Sequence, residues 1–251
     1  MITSLSINTG RLGRFGNQLF TIAGVIGIAR RSGQPFGFPK WINQDNANFG
    51  DVPHEMQQFF ENPLPELPYG LTFQDYPYLW EYRDIYLPRD SWNIFAHLQS
   101  VKWFEHCIDE VRYYFRMKDE PEQNDFVAIH YRAGDYIDNP EAYHPRCSRE
   151  YYDQAMALFP NEKFLVFSDN IVEAKERLPE ADRVFVSQDY LSDFKLMKSC
   201  KSFICANSSY SHMAALLGTH PGKKIVMPRK WFGSQAGITF DTLYPENAII
   251  L

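Results

Sequence analysis

Residues 202–218 read SFICANSSYSHMAALLG. An apolar run of strand length ends at Ala206, a hydroxyl-rich turn follows, and a run of helical composition closes on Gly218. A strand that hands over to a helix in this way is half of a βα unit. Upstream the same alternation recurs. FVAIHYR (126–132), KFLVFSD (163–169) and RVFVSQ (183–188) read as buried strands. SREYYDQAMALF (148–159), IVEAKERL (171–178) and SDFKLMKSC (192–200) read as the helices between them. Downstream, KKIVMP (223–228) reads as the final strand. Short strands alternating with short helices predict an α/β fold with a parallel sheet, whose ligands sit at the carboxyl ends of the strands.

Toward the N-terminus the pattern changes at MKDEPEQND (117–125), a polar stretch with Pro121 that predicts a boundary between domains 1–122 and 123–251. The last helix or tail is left free to pack back on the first domain. Residues 3–8 alternate like a short strand, and NQLFTIAGVIGIARR (17–31) has helical length with a stop at Ser32-Gly33. Residues 34–93 are rich in Pro, Gly, Asn and aromatics and read as loops with short elements. SVKWFEHCIDEVRYYFRM (100–117) places apolar residues at helical spacing. Between the first strand and helix lies GRLGRFGNQLF (10–20). It lacks the Gly-Lys-Ser/Thr of a P-loop, and its G-x-x-G-x-x-G spacing differs from the dinucleotide fingerprint.

Composition narrows the function classes. The 251 residues carry a net charge of −6, which argues against non-specific nucleic-acid binding. Cys107, Cys147, Cys200 and Cys205 form no C-x-x-C pair, so a reducing compartment is the simpler expectation. The longest apolar run, FTIAGVIGIA, is about half the roughly 20 residues of a membrane span. MITSLSINTG lacks a signal-like pattern, and a cytoplasmic location is expected.

Three polar clusters fall at the carboxyl ends of strands: His130 to Asp135, Ser168-Asp169-Asn170, and Asn207 to Ser211. The third opens a helix, whose first N–H groups and dipole make a site for an anion such as phosphate. Ordinary capping by Asn207 or Ser208 explains the same residues without a ligand. Arg132, at a strand tip in the same sheet, fits a phosphate through paired donors, or a salt bridge to Asp135 or Glu141. His130 reads equally as a ligand donor or a core histidine, and Asp169 as a sugar-hydroxyl acceptor or a helix cap. No Asp-x-Asp and no histidine pair at ligand spacing occurs. The charge for an anion therefore comes from arginine and backbone N–H groups, and no metal is expected.

These blocks, taken in order, resemble the α-1,2-fucosyltransferases of glycosyltransferase family 11. GNQLF matches near the start and LQSVKWF resembles that family's F-Q-S-E-K-Y-F. AIHYRAGDY resembles its H-x-R-R-G-D-Y, VFSDN its F-S-D-D, and LMKSCKSFICANSSYS its serine-rich block. IVMPRKWF resembles the closing P-x-x-W-F. The resemblance implies a GT-B-like fold, two Rossmann-type domains facing a cleft. It implies an inverting, metal-independent transfer of L-fucose from GDP-β-L-fucose to a galactose-containing oligosaccharide, at galactose O2. It also leaves open another linkage, a protein acceptor, or a non-catalytic nucleotide-sugar or glycan-binding protein.

By the same resemblance Arg132 clamps the diphosphate with His130 beside it, and Ser208, Ser209 and Ser211 bind phosphate from the helix N-terminus. Ser168, Asp169 and Asn207 join this donor set. Asp193, 16 residues before Ser209, meets the guanine edge or is simply a helix N-terminal aspartate. Asp135 is the first candidate for a catalytic base, ahead of Asp138, Glu141 and His144. Arg14 and Asn17 are the functional candidates of the glycine loop, Asn17 toward the reacting groups and Arg14 toward the donor; capping of the first helix by Asn17 is the plainer alternative. Two departures stand out: the family's paired arginines are Arg132-Ala133 here, and its Trp-Trp after the serines is His212-Met213.

Overall fold

The computed structural model describes all residues except 9–10, 44–53, 80, 134–143, 179–182, 187–188 and 234–240. The chain divides into two compact units, Met1–Lys118 with Thr239–Leu243, and Asp119–Ile238 with Tyr244–Leu251.

Unit 1 is built on one buried helix. Helix α1, Phe15–Arg31, buries residues on every side, because it carries alanine, glycine and apolar side chains around its whole circumference. Its end is set by Gly33 at φ +59°, a left-handed position that glycine occupies without steric cost. Glycines 24 and 27 let other segments approach closely: a Cβ on Gly27 would lie 1.9 Å from the Trp103 carbonyl oxygen.

Beside α1 lies a three-stranded parallel sheet. Strands β1 (Ile2–Thr3), β4 (Gln74–Tyr76) and β5 (Trp92–Ile94) are ordered β1-β5-β4. Strands β2 (Ile42–Asn43) and β3 (His54–Glu55) form a separate antiparallel pair.

Two expectations are corrected here. The strand expected over residues 3–8 stops at Thr3, and Leu5–Asn8 is a 3-10 turn. Asn93 Oδ1 accepts from the Leu5 N–H at 2.9 Å and so takes the place of a sheet partner. The helical pattern over 100–117 resolves into 3-10 turns at Val101–Trp103 and Glu105–Cys107 and a short helix α2, Ile108–Tyr114. Phe104, at φ −135° and ψ 0°, interrupts the winding.

Unit 2 is a six-stranded, wholly parallel sheet. Its strands are β6 (Asn124–Tyr131), β7 (Phe164–Ser168), β8 (Arg183–Val186), β9 (Cys200–Ile204), β10 (Ile225–Met227) and β11 (Ala248–Ile250). They are ordered β11-β10-β9-β6-β7-β8, so the chain grows outward from β6 in one direction and, from β9, in the other. This is the doubly wound order, with its switch point between β6 and β9.

Helices α3 (Arg149–Ala157), α4 (Ile171–Arg177), α5 (Tyr190–Lys198) and α6 (Ser209–Leu217) make the crossovers. Val127, Ile129 and Tyr131 of β6 pack with Tyr151, Tyr152 and Ala155 of α3 and Ala174 of α4. The alternate residue His130 faces the other way, its ring 5.6 Å from that of Tyr210 on α6, which in turn meets Phe194 of α5. The fold is therefore α/β with parallel sheets, as the alternation predicts. The sixth strand is a correction, since β10 was expected to be the last. β11 pairs with it through registers Ile225–Ala248 to Met227–Ile250, and a three-residue run near the chain end offers too little pattern to be read as a strand.

Candidate functional site

The switch point of unit 2 gathers most of the candidate residues. β6 and β9 are neighbours, so the segments leaving their carboxyl ends leave side by side. From β6 come His130 and Arg132, and from β9 comes the Asn207 to Ser211 turn.

One direct bond joins the two. His130 Nδ1 lies 3.0 Å from Ser211 Oγ, both residues being buried. The Ser211 hydroxyl donates to the Ser208 carbonyl at 3.3 Å, so its oxygen accepts from His130 Nδ1–H and the tautomer leaves Nε2 as an acceptor. Burial, and then the Arg132 guanidinium, push the His130 pKa down to about 4 against the opposing pull of Asp169. The ring is thus neutral near pH 7 and acts as a strut between β6 and the first turn of α6.

Ser208 caps α6, its Oγ accepting from the Tyr210 N–H at 3.4 Å, and Ser209 and Ser211 follow in the first turn. Asn207 is almost wholly buried. Its amide donates to the carbonyls of Pro145 at 2.7 Å and Trp231 at 3.0 Å, and its oxygen lies 3.6 Å from Cys147 Sγ. It ties the α6 N-terminus to two other segments, residues 145–147 and the one that carries Trp231.

Arg132 pairs with Asp169, at the tip of the adjacent strand β7. Asp135, Asp138 and Glu141 lie outside the described residues. The other oxygen of Asp169 accepts from the Ala133 N–H at 2.9 Å. One carboxylate thereby fixes both the guanidinium and the backbone that carries it. The cap of α4 is Asn170, which accepts from the Glu173 N–H at 3.1 Å, while Ser168 Oγ accepts from the Asn170 N–H at 3.0 Å. Ala133, which stands where the family has its second arginine, is fully buried.

Arg146 is a residue that sequence reasoning missed. It pairs with Glu173 and donates to the Tyr131 hydroxyl at 2.9 Å, placing a second guanidinium beside β6 and the start of α4. No motif surrounds it, and its partners lie 15 and 27 residues away.

Asp193 stands in the first turn of α5, buried, close enough to Tyr210 for its charge to help raise that phenol's pKa, after the larger effect of burial. The α5 cap is instead Asp189, which accepts from Leu191 and Ser192. His144 packs its ring 5.4 Å from Phe232.

Arg14 and Asn17 belong to unit 1. Arg14 occupies the N-cap position of α1 without a side-chain cap bond, and Asn17 lies inside the helix. Gly13 sits at φ +81°, where a side chain is strained, and a Cβ there would lie 2.2 Å from Asn17 Nδ2 and so push the Asn17 amide aside. Asn17 Oδ1 accepts from Gln99 Nε2 at 2.6 Å. Among the described residues, no group of three or more His, Cys, Asp or Glu is placed to hold a metal ion, and no helix is long and apolar enough to cross a membrane.

A relative from Escherichia coli, the O-antigen biosynthesis glycosyltransferase WbnK, is 32% identical over 129 residues, covering 46% of this chain and 43% of the relative. An alpha-1,2-colitosyltransferase, also of Escherichia coli, is 33% identical over 127 residues, covering 46% of this chain and 44% of the relative. The matched stretches thus span less than half the length of either relative. Among solved structures, POFUT1 in complex with GDP-fucose aligns at a TM-score of 0.49 and 13% identity, over 89% of this chain and 96% of that one. Fucosyltransferase NodZ from Bradyrhizobium aligns at 0.47 and 16%, over 85% and 91%. The model of glycosyl transferase family 11 matches residues 82–237, more than half of the sequence. On that match, the chain belongs to glycosyltransferase family 11.

Proposed function

We propose that the chain moves L-fucose from GDP-β-L-fucose to a glycan hydroxyl, galactose O2, in an inverting, metal-independent transfer. The observation that carries this reading is that β6, which leads into Arg132, and β9, which leads into the N-terminus of α6, are neighbours at one switch point. In this reading Arg132 and the α6 N–H groups, with Ser208, Ser209 and Ser211, hold the diphosphate. As the sugar C1–O bond breaks, negative charge gathers on the GDP phosphate, and fixed donors stabilise that state more than the ground state. Asp169 and His130 position the donors rather than touch the ligand. Asn207 does the same by holding the segments around them. Asp193 is proposed to meet the guanine edge, and Asp135 to accept the acceptor's proton.

The test is incubation with GDP-fucose and lactose in EDTA. A new trisaccharide whose NMR spectrum shows fucose on galactose O2 is the expected product. Loss of activity on chelation would refute the metal-free mechanism, and another linkage would refute the regiochemistry. Arg132→Ala should slow transfer on the order of a hundredfold, about 3 kcal/mol in barrier, by analogy with loss of one oxyanion-hole donor. Undiminished turnover would remove Arg132 from the diphosphate site.

A second reading is favoured by the relative named an alpha-1,2-colitosyltransferase: the same linkage, with colitose as the sugar. Tight GDP binding without fucose transfer, together with transfer from the colitose donor, would select it.

A further inference from the structure

Within unit 1, the carboxyl ends of three parallel strands bring together side chains that the donor site does not use. Strand β5 is central, flanked by β1 and β4. Two residues past β4 stands Tyr78, three and five past β5 stand His97 and Gln99, and the loop after β1 leads into α1 and Asn17. The Tyr78 hydroxyl lies 2.7 Å from His97 Nδ1, and its ring meets Phe95 edge-on at 5.6 Å. Gln99 Nε2 donates to Asn17 Oδ1 at 2.6 Å. Asn17, Tyr78, Phe95, His97 and Gln99 are all half-buried, with part of each side chain open to solvent.

The backbone between His97 and Gln99 is strained. Leu98 takes φ +47°, the left-handed region that a leucine rarely adopts. Its side chain is buried against α1, where a Cβ on Gly24 would come within 2.6 Å of Leu98 Cδ1, and its carbonyl accepts from the Ser100 N–H at 2.9 Å. Such strain persists where the surroundings over-determine it, and it collects at binding sites. Here it holds His97 and Gln99 on either side of one locked residue.

The chemistry of the set selects a ligand class. Two amides, a phenol and an imidazole offer neutral donors and acceptors, and two aromatic rings offer apolar surface. Burial lowers the His97 pKa, which keeps the imidazole uncharged. Vicinal hydroxyls above a C–H face, the surface of a pyranose, match this mixture, whereas phosphate would require cations.

We propose that Tyr78, His97, Gln99 and Asn17 form a carbohydrate-binding subsite of unit 1 that recognises the hydroxyls of the acceptor sugar. It rests on the transferase reading only for the word acceptor; the sugar-binding surface is argued from unit 1 alone.

The full chain is applied to an array of galactose-, glucose-, N-acetylgalactosamine- and fucose-terminated oligosaccharides, and GDP affinity is measured by calorimetry in parallel. The native chain is expected to retain at least one class of glycan. His97→Ala and Tyr78→Phe are expected to weaken that binding tenfold or more, while GDP affinity changes less than twofold. A thermal melt and near-UV circular dichroism matching those of the native chain show that unit 1 is folded in both variants, which GDP affinity, read from unit 2, does not report. His97→Gln, which restores a polar group near the Nε2 position, should recover more glycan binding than His97→Asn, which restores only the Nδ1 position facing Tyr78. Retention of no glycan by the native chain, full binding by His97→Ala, or better rescue by Asn than by Gln would each overturn the subsite. Failure of GDP binding in the native chain would instead overturn the donor-site reading and leave the subsite standing on its glycan binding.

Discussion

At the scale of single residues, the unit 2 site is held by cross-strand partners. Asp169 grips Arg132 and the Ala133 N–H together, so its work is orientation. Asp169→Asn keeps the shape and removes the charge that fixes the guanidinium. The expected result is a transfer rate down about tenfold, because a displaced catalytic group loses its alignment. The pair is partly exposed, at 15% and 25%, so the melting temperature should shift by only a few degrees. A rate equal to the native value would show that Arg132 needs no such support.

His130 gives a pH signature. Its pKa falls to about 4 in the folded chain, against an ordinary value of 6.5, so below pH 6.5 the unfolded chain takes up a proton that the folded chain refuses. Stability should be complete above pH 6.5, fall as the pH drops toward 4, and level off below it. The loss attributable to this residue is roughly 3 kcal/mol. His212, buried on α6 with its pKa lowered to about 3, acts in the same direction. Urea midpoints across pH 4–7 should therefore rise with pH, and His130→Gln should flatten the slope without abolishing it. A variant as steep as the native chain would show that His130 does not titrate as its burial demands.

At the scale of elements, the two units differ in how well their sequences announce them. Strands β6, β7 and β9 are buried on both faces and read as apolar runs closed by turn residues, so they and their helices are legible. The Arg132–Asp169 and His130–Ser211 pairs are not, because 37 and 81 residues separate the partners and only the strand order brings them together. Unit 1 is harder still. Its parallel strands are two or three residues long, and β5 is held from the far end of the unit, the Trp92 N–H donating to the Met1 carbonyl at 2.8 Å. Strands that short leave no period to read, and for that reason the Tyr78–His97 cluster had no signal.

The helix α1 is legible as a helix but not in its packing. Gly27 looks like a weak point, costing about 1 kcal/mol relative to alanine in an isolated helix. In the folded unit it is the point of closest approach to the Trp103 backbone, which cannot swing aside as a side chain tip does. Gly27→Ala should therefore destabilise by roughly 1–3 kcal/mol despite the gain in helix propensity. Gly33→Ala, with open space around its Cβ position, should cost only the strain of its left-handed φ, about 1 kcal/mol. Denaturant titration of both variants tests the order; a Gly27→Ala chain as stable as the native one would mean that the Trp103 segment yields.

At the scale of the whole molecule, the proposed division of labour follows the division of the fold. Every strand of the six-stranded sheet and every residue proposed for the diphosphate lies between Asn124 and Ile250, and the core packed around β6 draws only on unit 2 residues. Doubly wound sheets of this length bury enough apolar surface to fold without a partner domain. A fragment of residues 119–251 carries that sheet intact, although its Thr239–Leu243 segment clusters with unit 1. The fragment is therefore expected to melt cooperatively and to bind GDP within about tenfold of the full chain, since each factor of ten is only about 1.4 kcal/mol. It is expected to transfer no sugar, because the proposed acceptor subsite is left behind. Calorimetry with GDP and a thermal melt decide the matter. A fragment that is unfolded would show that unit 2 draws its stability from outside its own sheet, and a folded fragment blind to GDP would move the nucleotide site away from the β6–β9 switch point.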